Sequence, residues 1–159
     1  MSYARKTTRV GKRSTRDPRT FVWSSLAAKA QSVAEIEAKL SARGVEPDVA
    51  AAAVAEAVGL GFLDDRELAG QLARGFHARG YGRRRAAQTL GRRGIPLSLA
   101  TRTLDDVYCD VDETALARRA LGHRVVESDP DRRRAVAFLL RRGFSSPAAW
   151  SAVRSPRPP

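Results

Sequence analysis

The chain has little of the chemistry that most enzyme sites use: its 159 residues include one cysteine, Cys109, and two histidines, His77 and His123. An internal disulfide needs two cysteines, so a disulfide framework is excluded, and a reducing cytosol fits this composition. A hydrolase needs a nucleophile and a base, which is usually histidine. His77 follows Phe76 on an amphipathic segment, which indicates a boundary position, and Cys109 has no partner at metal-ligand spacing. We predict a protein that is not an enzyme, with no catalytic residue, metal or cofactor.

Long apolar runs are also missing. The Ala-rich run Val49–Ala55 ends at Glu56, well short of the about 18 apolar residues that a membrane span needs. The N-terminus is basic but lacks the apolar core of a secretory signal. Gly80-Tyr81-Gly82 follows no strand-like segment and is weak evidence for a nucleotide site. We expect a soluble, cytoplasmic monomer without a membrane partner.

Carboxylates occur in three groups, Asp64-Asp65, Asp105-Asp106 and residues 110–113. Each group lies at a predicted helix boundary, where aspartate accepts hydrogen bonds from the first free N–H groups. We interpret these residues as helix caps rather than as acid–base or metal-binding groups.

Positive charge is abundant, and it is unevenly distributed. The chain has 29 basic residues, 25 of them arginine, and a net charge of +12. Residues 1–19 carry seven basic and one acidic residue, residues 20–65 carry three and seven, and residues 66–142 carry 17 and nine. This excess of cations predicts an anionic partner or a partner assembly that contains one. The early part of the chain after residue 19 is acidic, so the partner-facing charge lies in the arm and in the later part.

A short phrase recurs three times at near-constant spacing, in Leu40–Val45, Leu90–Ile95 and Leu139–Phe144. Each copy reads Leu, two residues, Arg, Gly and an apolar residue. This pattern is typical of the last turn of a helix, with Gly at the position where φ turns positive and a cation near the negative end of the dipole. We expect a positive φ at the glycine of each copy, that is at Gly44, Gly94 and Gly143. A fixed period of this size predicts tandem supersecondary units.

The rest of the pattern predicts an all-α protein of three three-helix repeats in a short, elongated array. Repeat 1 covers residues 19–63, repeat 2 covers 64–110 and repeat 3 covers 111–154. Residues 1–18 form a basic arm and residues 155–159 a proline-rich tail, and both are predicted to be disordered.

Within this frame, several helix limits and inner faces follow from caps and periodicity. The first helix is predicted over about Phe21–Ala30, and Ser32 with Glu35 forms a capping box for the second. The third helix opens at Pro47 and is expected to turn Val49, Ala53, Ala57 and Leu60 inward. Asp64 is the expected N-cap of the next helix, and Asp129-Pro130 is expected to cap a helix in repeat 3.

Two arginine triplets break a local rule. Arg83-Arg84-Arg85 is predicted in the first turn of a helix, where a cation costs about 0.3–1 kcal/mol against the dipole, and residues 132–134 repeat the pattern after Asp131. Residues that violate local preference are candidates for function, and guanidinium groups at a helix start can bind phosphate or carboxylate. The alternative is that both triplets are solvated surface. Tyr81 also has two interpretations, as an aromatic residue covering a helix end or as a stacking platform for a base or a partner protein.

Several segments together resemble the RecX family of recombinase regulators. The central repeat of that family is similar to Gly61–Ala69 followed by Arg79–Gly82 and Leu90–Ile95. Its first repeat is similar to Leu26–Ser32 with Glu35-Ile36 and Lys39-Leu40, and its last to Phe138–Phe144. The resemblance covers about residues 20–153.

The resemblance implies a curved array of three three-helix repeats that binds in the groove of the RecA–DNA filament. It further implies restraint of ATP hydrolysis, strand exchange and repressor cleavage, and hence a role in recombination, DNA repair and the SOS response. The alternative function is a helical module that binds single- or double-stranded DNA directly. The predicted contact residues to RecA or DNA are one tyrosine and eleven arginines of repeats 2 and 3: Arg79, Tyr81, Arg83, Arg84, Arg85, Arg92, Arg93, Arg132, Arg133, Arg134, Arg141 and Arg142.

Overall fold

The computed structural model describes residues 17–124 and 126–154, and over these ranges the chain forms nine α-helices and no strand. The predictions about most of the arm and about the tail 155–159 lie outside the described residues. The helices are α1 Pro18–Ala28, α2 Val33–Ala42, α3 Pro47–Gly59, α4 Asp65–Ala78, α5 Arg83–Arg92, α6 Leu97–Tyr108, α7 Glu113–Leu121, α8 Asp129–Arg141 and α9 Ser146–Arg154.

Each group of three successive helices encloses its own apolar core. The extensive helix contacts lie within the groups, where α1 and α2 pack on α3, α4 and α5 on α6, and α7 and α8 on α9. Side chains with no exposed surface mark the three cores: Ile36 and Leu40, Ala86 and Leu90, Leu139 and Phe144. The all-α repeat prediction is therefore confirmed.

Repeat 1 departs from the sequence prediction at two places. Asp17 caps α1 by accepting a hydrogen bond from Thr20 N at 3.1 Å, so this helix begins at Pro18 and the arm ends before Asp17. Val49 and Leu60 are half or more exposed, so their predicted inward position is wrong. The inner stripe of α3 runs through residues 50, 54 and 57, one position away from Val49, and Leu60 lies beyond the last helical residue.

The three glycine turns have the predicted conformation. The φ angles are 73° at Gly44, 71° at Gly94 and 89° at Gly143. In each turn the amide after the glycine donates back to the carbonyl of the leucine four residues before the glycine, as from Val45 N to Leu40 O at 3.2 Å. This is the pattern that ends a helix with a left-handed glycine, so it explains why the phrase repeats.

The first joint, between repeats 1 and 2, places the start of α2 on the turn that ends α5. The Ser32 hydroxyl donates to the carbonyl of Arg93, and the Arg93 Nη2 atom donates to Glu35 Oε2 and to Ala30 O, each at 2.9 Å. Gly94 faces Ala34, and a side chain on Gly94 would collide with the Ala34 methyl group. Burial acts to raise the pKa of Glu35, but the Ser32 amide and the Arg93 guanidinium outweigh it and hold the pKa below its usual range.

The second joint, between repeats 2 and 3, repeats this arrangement one unit later. Gly82 N donates to Arg142 O at 3.0 Å and Arg84 N donates to Gly143 O at 3.2 Å, so the start of α5 sits on the turn that ends α8. The backbones at Gly82 and Gly143 are in direct contact, because a side chain on either glycine would overlap the other segment. Both joints therefore use one rule: a helix start in one repeat binds the carbonyls at the glycine turn of the next.

Candidate functional site

The first arginine triplet occupies the first turn of α5, as predicted. The N-cap is Gly82, which offers no capping side chain, and the first turn holds no acidic residue. Arg83 forms an ion pair with Asp105 of α6, and Arg84 is exposed. Arg85 is half-buried against Gly143. Three cations at the positive end of a helix oppose its dipole, so the arrangement favours an anion at this point.

The second triplet lies in the second turn of its helix, not in the first turn as predicted. Ser128, not Asp129-Pro130, is the N-cap of α8, and it forms a capping box with Asp131. Helix α8 has 13 residues and α5 has ten. The three additional residues of α8 precede residues 132–134, so these arginines lie in the second turn of the helix. Arg132 pairs with Asp129 at 2.6 Å and Arg134 with Asp131 at 3.4 Å, while Arg133 is exposed. This triplet therefore opposes the dipole less than the first.

Aromatic rings and guanidinium groups alternate across the second joint. We call Phe76, Arg79, Tyr81, Arg124, Phe138 and Arg142 the joint cluster. The Arg142 guanidinium carbon lies 4.7 Å from the Tyr81 ring and 5.1 Å from the Phe138 ring. Arg79 lies 4.9 Å from the Phe76 ring, and Arg124 lies 4.2 Å from the Phe138 ring. These distances are those of cation–π contacts, and π faces with attached cations also suit nucleic-acid bases.

The members of the joint cluster differ in how accessible they are. Arg142 donates to the carbonyls of Arg79 and Gly80 at 3.3 Å and is half-buried, so it holds the joint together. Arg79 and Arg124 are exposed, and Tyr81 is half-buried with its ring edge-to-face on Phe76. The sequence interpretation of Tyr81 as a helix-end aromatic and its interpretation as a stacking platform are thus compatible.

The remaining predicted residues fall into two groups. Arg92 and Arg141 are exposed at the last turns of α5 and α8. Arg93 is half-buried in the first joint, where it contacts Glu35 and a backbone carbonyl, so its position is the counterpart of that of Arg142. The structure brings Arg79, Tyr81, Arg142 and the first triplet together at the second joint.

Sequence reasoning missed Arg124 and Phe138 as members of the joint cluster. Phe138 lies on α8 and Arg124 on the loop before it, so both are far from Tyr81 in the chain. Arg142 contacts both the Tyr81 and the Phe138 rings, and this link follows from the docking of α5 on the glycine turn of α8, which no local pattern reports. Arg124 contacts Phe138 within repeat 3.

A cavity of about 340 Å³ lies beside the first turn of α5. It is lined by Arg83, Arg84, Tyr108, Glu113 and Ser145, among others. Glu113 is occupied with the backbone amide and hydroxyl of Ser145, at 2.7 and 2.6 Å. Burial raises the pKa of Tyr108 to about 12, so the phenol is neutral at physiological pH and its hydroxyl donates to Tyr81 O. The cavity thus brings the cations of Arg83 and Arg84 close to the Glu113 carboxylate and to two hydroxyl groups.

The carboxylate groups mostly serve as caps. Asp64 caps α4 and Asp112 caps α7, as predicted. Asp105 is different, because it lies in the last turn of α6 and pairs with Arg83 rather than capping a helix. Within residues 17–124 and 126–154 no three His, Cys, Asp or Glu side chains are grouped as a metal would require. In the same ranges no helix has the length and apolarity to cross a membrane.

The fold and this surface define a helical repeat protein whose arginines concentrate around one inter-repeat joint. The family model described as the second three-helix domain of RecX matches residues 64–104, that is, most of repeat 2. The regulatory protein RecX of Xanthomonas oryzae pv. oryzae strain MAFF 311018 is 34% identical over 131 residues, which cover 81% of this chain and 82% of the relative. That of Stenotrophomonas maltophilia strain K279a is also 34% identical, over 81% and 80% of the two chains.

Solved structures agree with the fold. A crystal structure of RecX from Lactobacillus salivarius superposes with a TM-score of 0.69 at 17% identity, covering 86% of this chain and 92% of that one. A second crystal structure, of a regulatory protein RecX, has a TM-score of 0.67, also at 17% identity, over 86% and 70% of the two chains. The chain belongs to the RecX family of regulatory proteins, which confirms the resemblance stated from its motifs.

Proposed function

We propose that this protein regulates RecA by binding in the groove of the RecA–DNA filament, where it restrains ATP hydrolysis, strand exchange and repressor cleavage. The observation that carries the proposal is the concentration of exposed arginines around the second joint. A mixed polymer of protein and DNA offers both carboxylates and phosphates to such a surface.

The division of charge along the chain supports contact with such a mixed partner. Residues 66–142 carry 17 basic and nine acidic residues, whereas residues 44–65 contain five carboxylates and no lysine or arginine. Phosphates are attracted to the first stretch and repelled by the second. Repeat 1 is therefore suited to contact protein, and repeats 2 and 3 to contact the acidic surface or the DNA of the filament.

The second candidate function is direct binding to DNA, and the joint cluster is the observation that favours it. Exposed Arg79 and Arg124 flank rings on which bases could stack, without any need for RecA. The two functions differ in their dependence on salt and on RecA, because binding that rests on phosphate contacts alone falls steeply as salt rises.

Cosedimentation separates these functions. We expect the protein to pellet with RecA filaments assembled on single-stranded DNA with a non-hydrolysable ATP analogue, at roughly physiological ionic strength. Bare single-stranded DNA, at matched nucleotide concentration, is expected to bind far less at that salt. Equal binding to DNA with and without RecA, with the same salt slope, would favour the direct DNA-binding function and contradict the proposal.

Removal of the basic arm tests its contribution to the same binding. Residues 1–16 carry six basic residues and no acidic one, and the structure sets the cut before Asp17 because that residue caps α1. We expect the truncated protein to melt within a few degrees of the full chain, because the three cores form from residues after 17. Its binding to RecA–DNA filaments is expected to weaken and to depend less on salt. A large drop in melting temperature would show that the arm packs on the repeats.

A further inference from the structure

The glycine turn that ends α2 is a third copy of the docking turn, and it lies on the outer side of repeat 1. Its backbone matches the two used turns, with φ 73° at Gly44 and the same closing hydrogen bonds. At the first and second joints the carbonyls of Arg93 and Arg142 accept hydrogen bonds from a helix start in the preceding repeat. Among the described residues, the carbonyl of Arg43 accepts none, and Arg43 and Gly44 are exposed.

The start of α8 is the complementary feature at the other end of the array. The starts of α2 and α5 each dock on the glycine turn of the following repeat. The start of α8 docks on no such turn in the described residues. Its cap is of the kind used at the first joint: Ser128 and Asp131 form a capping box, as Ser32 and Glu35 do. Ser128 is exposed.

The first joint indicates which side chains would be in contact if the start of α8 docked on the turn at Arg43 and Gly44. There a capping serine donates to the carbonyl of the arginine before the glycine, and the capping-box acid pairs with that arginine. The same roles fall to Ser128 and Asp131 on one surface and to Arg43 on the other. The Ser128 hydroxyl now lies against Asp131, and like that of Ser32 it can turn to a carbonyl while its oxygen still caps the helix. Asp131 has one other cation nearby, Arg134, at 3.4 Å.

We propose that this protein associates head to tail, with the start of α8 of one copy docking on the Arg43-Gly44 turn of the next. Charge supports a second copy as the occupant, because repeat 1 carries four basic and five acidic residues whereas repeat 3, which contains α8, carries nine and five. The two surfaces are different, so the contact is heterologous and leaves a free surface at each end. Copies can therefore add in a row, and the joint continues the geometry by which the repeats follow one another.

The contact is small, being one turn against one helix start, so association in free solution is expected to be weak. Copies aligned on a common polymer would gain from the raised effective concentration. Head-to-tail association needs neither RecA nor DNA, so the full-length protein alone is sufficient to test it. The expected state in solution is a monomer that joins other copies as its concentration rises.

Sedimentation velocity over a concentration series at low salt is the test. We expect the average sedimentation coefficient of the wild-type protein to rise with concentration and to fall back on addition of salt. Arg43→Glu is expected to stay monomeric, because its carboxylate faces Asp131 of the neighbour. Asp131→Lys is also expected to stay monomeric, because its ammonium faces Arg43. An equimolar mixture of the two variants is expected to associate as the wild type does, because each contact between unlike chains then joins opposite charges.

The mixture separates a specific contact from a general charge effect, since both variants remain strongly cationic. Arg66→Glu is the matched control, because it changes the charge as Arg43→Glu does, at an exposed position of α4, and should associate normally. Melting curves check that the Asp131→Lys variant is folded, because this substitution removes the acid of the capping box. A wild-type protein that stays monomeric at its highest soluble concentration, or a mixture that does not associate, would overturn the proposal. The Arg43-Gly44 turn would then be assigned to contact with a different protein.

Discussion

Replacing Gly82 by alanine is expected to weaken the second joint and to cost about 3 kcal/mol of unfolding free energy, near the upper end of what overpacking costs. A methyl group on Gly82 would lie 2.6 Å from Phe144 N and closer still to the Gly143 carbonyl. These neighbours are backbone atoms of the docking turn, so they cannot move aside as a flexible side chain would. The hydrogen bonds from Gly82 N and Arg84 N to that turn should lengthen or break.

Gly91→Ala is the matched control for this substitution. Gly91 lies in the same helix, α5, and an added methyl group meets nothing within 4 Å. Alanine there should stabilise the protein by about 0.5–1 kcal/mol, because glycine is the poorer helix former. Chemical denaturation of both variants measures the difference. If Gly82→Ala proved as stable as Gly91→Ala, the close backbone contact at the second joint would be wrong.

Local patterns predicted what lies within a repeat. The capping box of Ser32 and Glu35, the cap at Asp64 and the three glycine turns each involve residues that are at most five apart, so the chain itself reports them. The core positions of the recurring phrase follow from the same local geometry. The failure at Val49 has a local cause too, because in an Ala-rich helix several neighbouring stripes are equally apolar.

The joints could not be predicted in the same way, because which helix start meets which turn is decided between repeats. Arg93 and Arg142 have the same sequence signature as Arg43, yet the first two are half-buried in joints and Arg43 is exposed. The distance of the second arginine triplet from its glycine matches that of the first triplet, which predicts a position in a first turn. The capping box at Ser128 starts α8 about one turn before the triplet, so the triplet lies in the second turn.

The first arginine triplet carries the other large expected effect. Changing Arg83, Arg84 and Arg85 together to Gln should leave stability nearly unchanged. Loss of three cations relieves the helix dipole by a few tenths of a kcal/mol or more, while loss of the surface ion pair to Asp105 costs a similar amount. Gln retains the Cβ of Arg85 that packs on Gly143. Thermal unfolding should therefore show a normal, cooperative transition.

The same variant should lose much of its effect on RecA. We expect the concentration that half-inhibits DNA-dependent ATP hydrolysis by RecA to rise by about tenfold, equal to ~1.4 kcal/mol of binding free energy. A variant with Arg66, Arg74 and Arg102 changed to Gln is the control, because it removes equal charge from exposed positions of α4 and α6. A nonspecific effect of net charge would weaken both variants alike.

The equivalent change at Arg132, Arg133 and Arg134 should act in the same direction and more weakly. Arg132 and Arg134 already face Asp129 and Asp131, and the triplet lies one turn inside α8 rather than at its start. Its cations are thus partly neutralised and oppose the dipole less. The order of inhibition should be control, then the α8 variant, then the α5 variant, from strongest to weakest. If all three folded variants inhibit RecA as the wild type does, both triplets are solvated surface, and the contact with RecA must lie elsewhere, first around Tyr81.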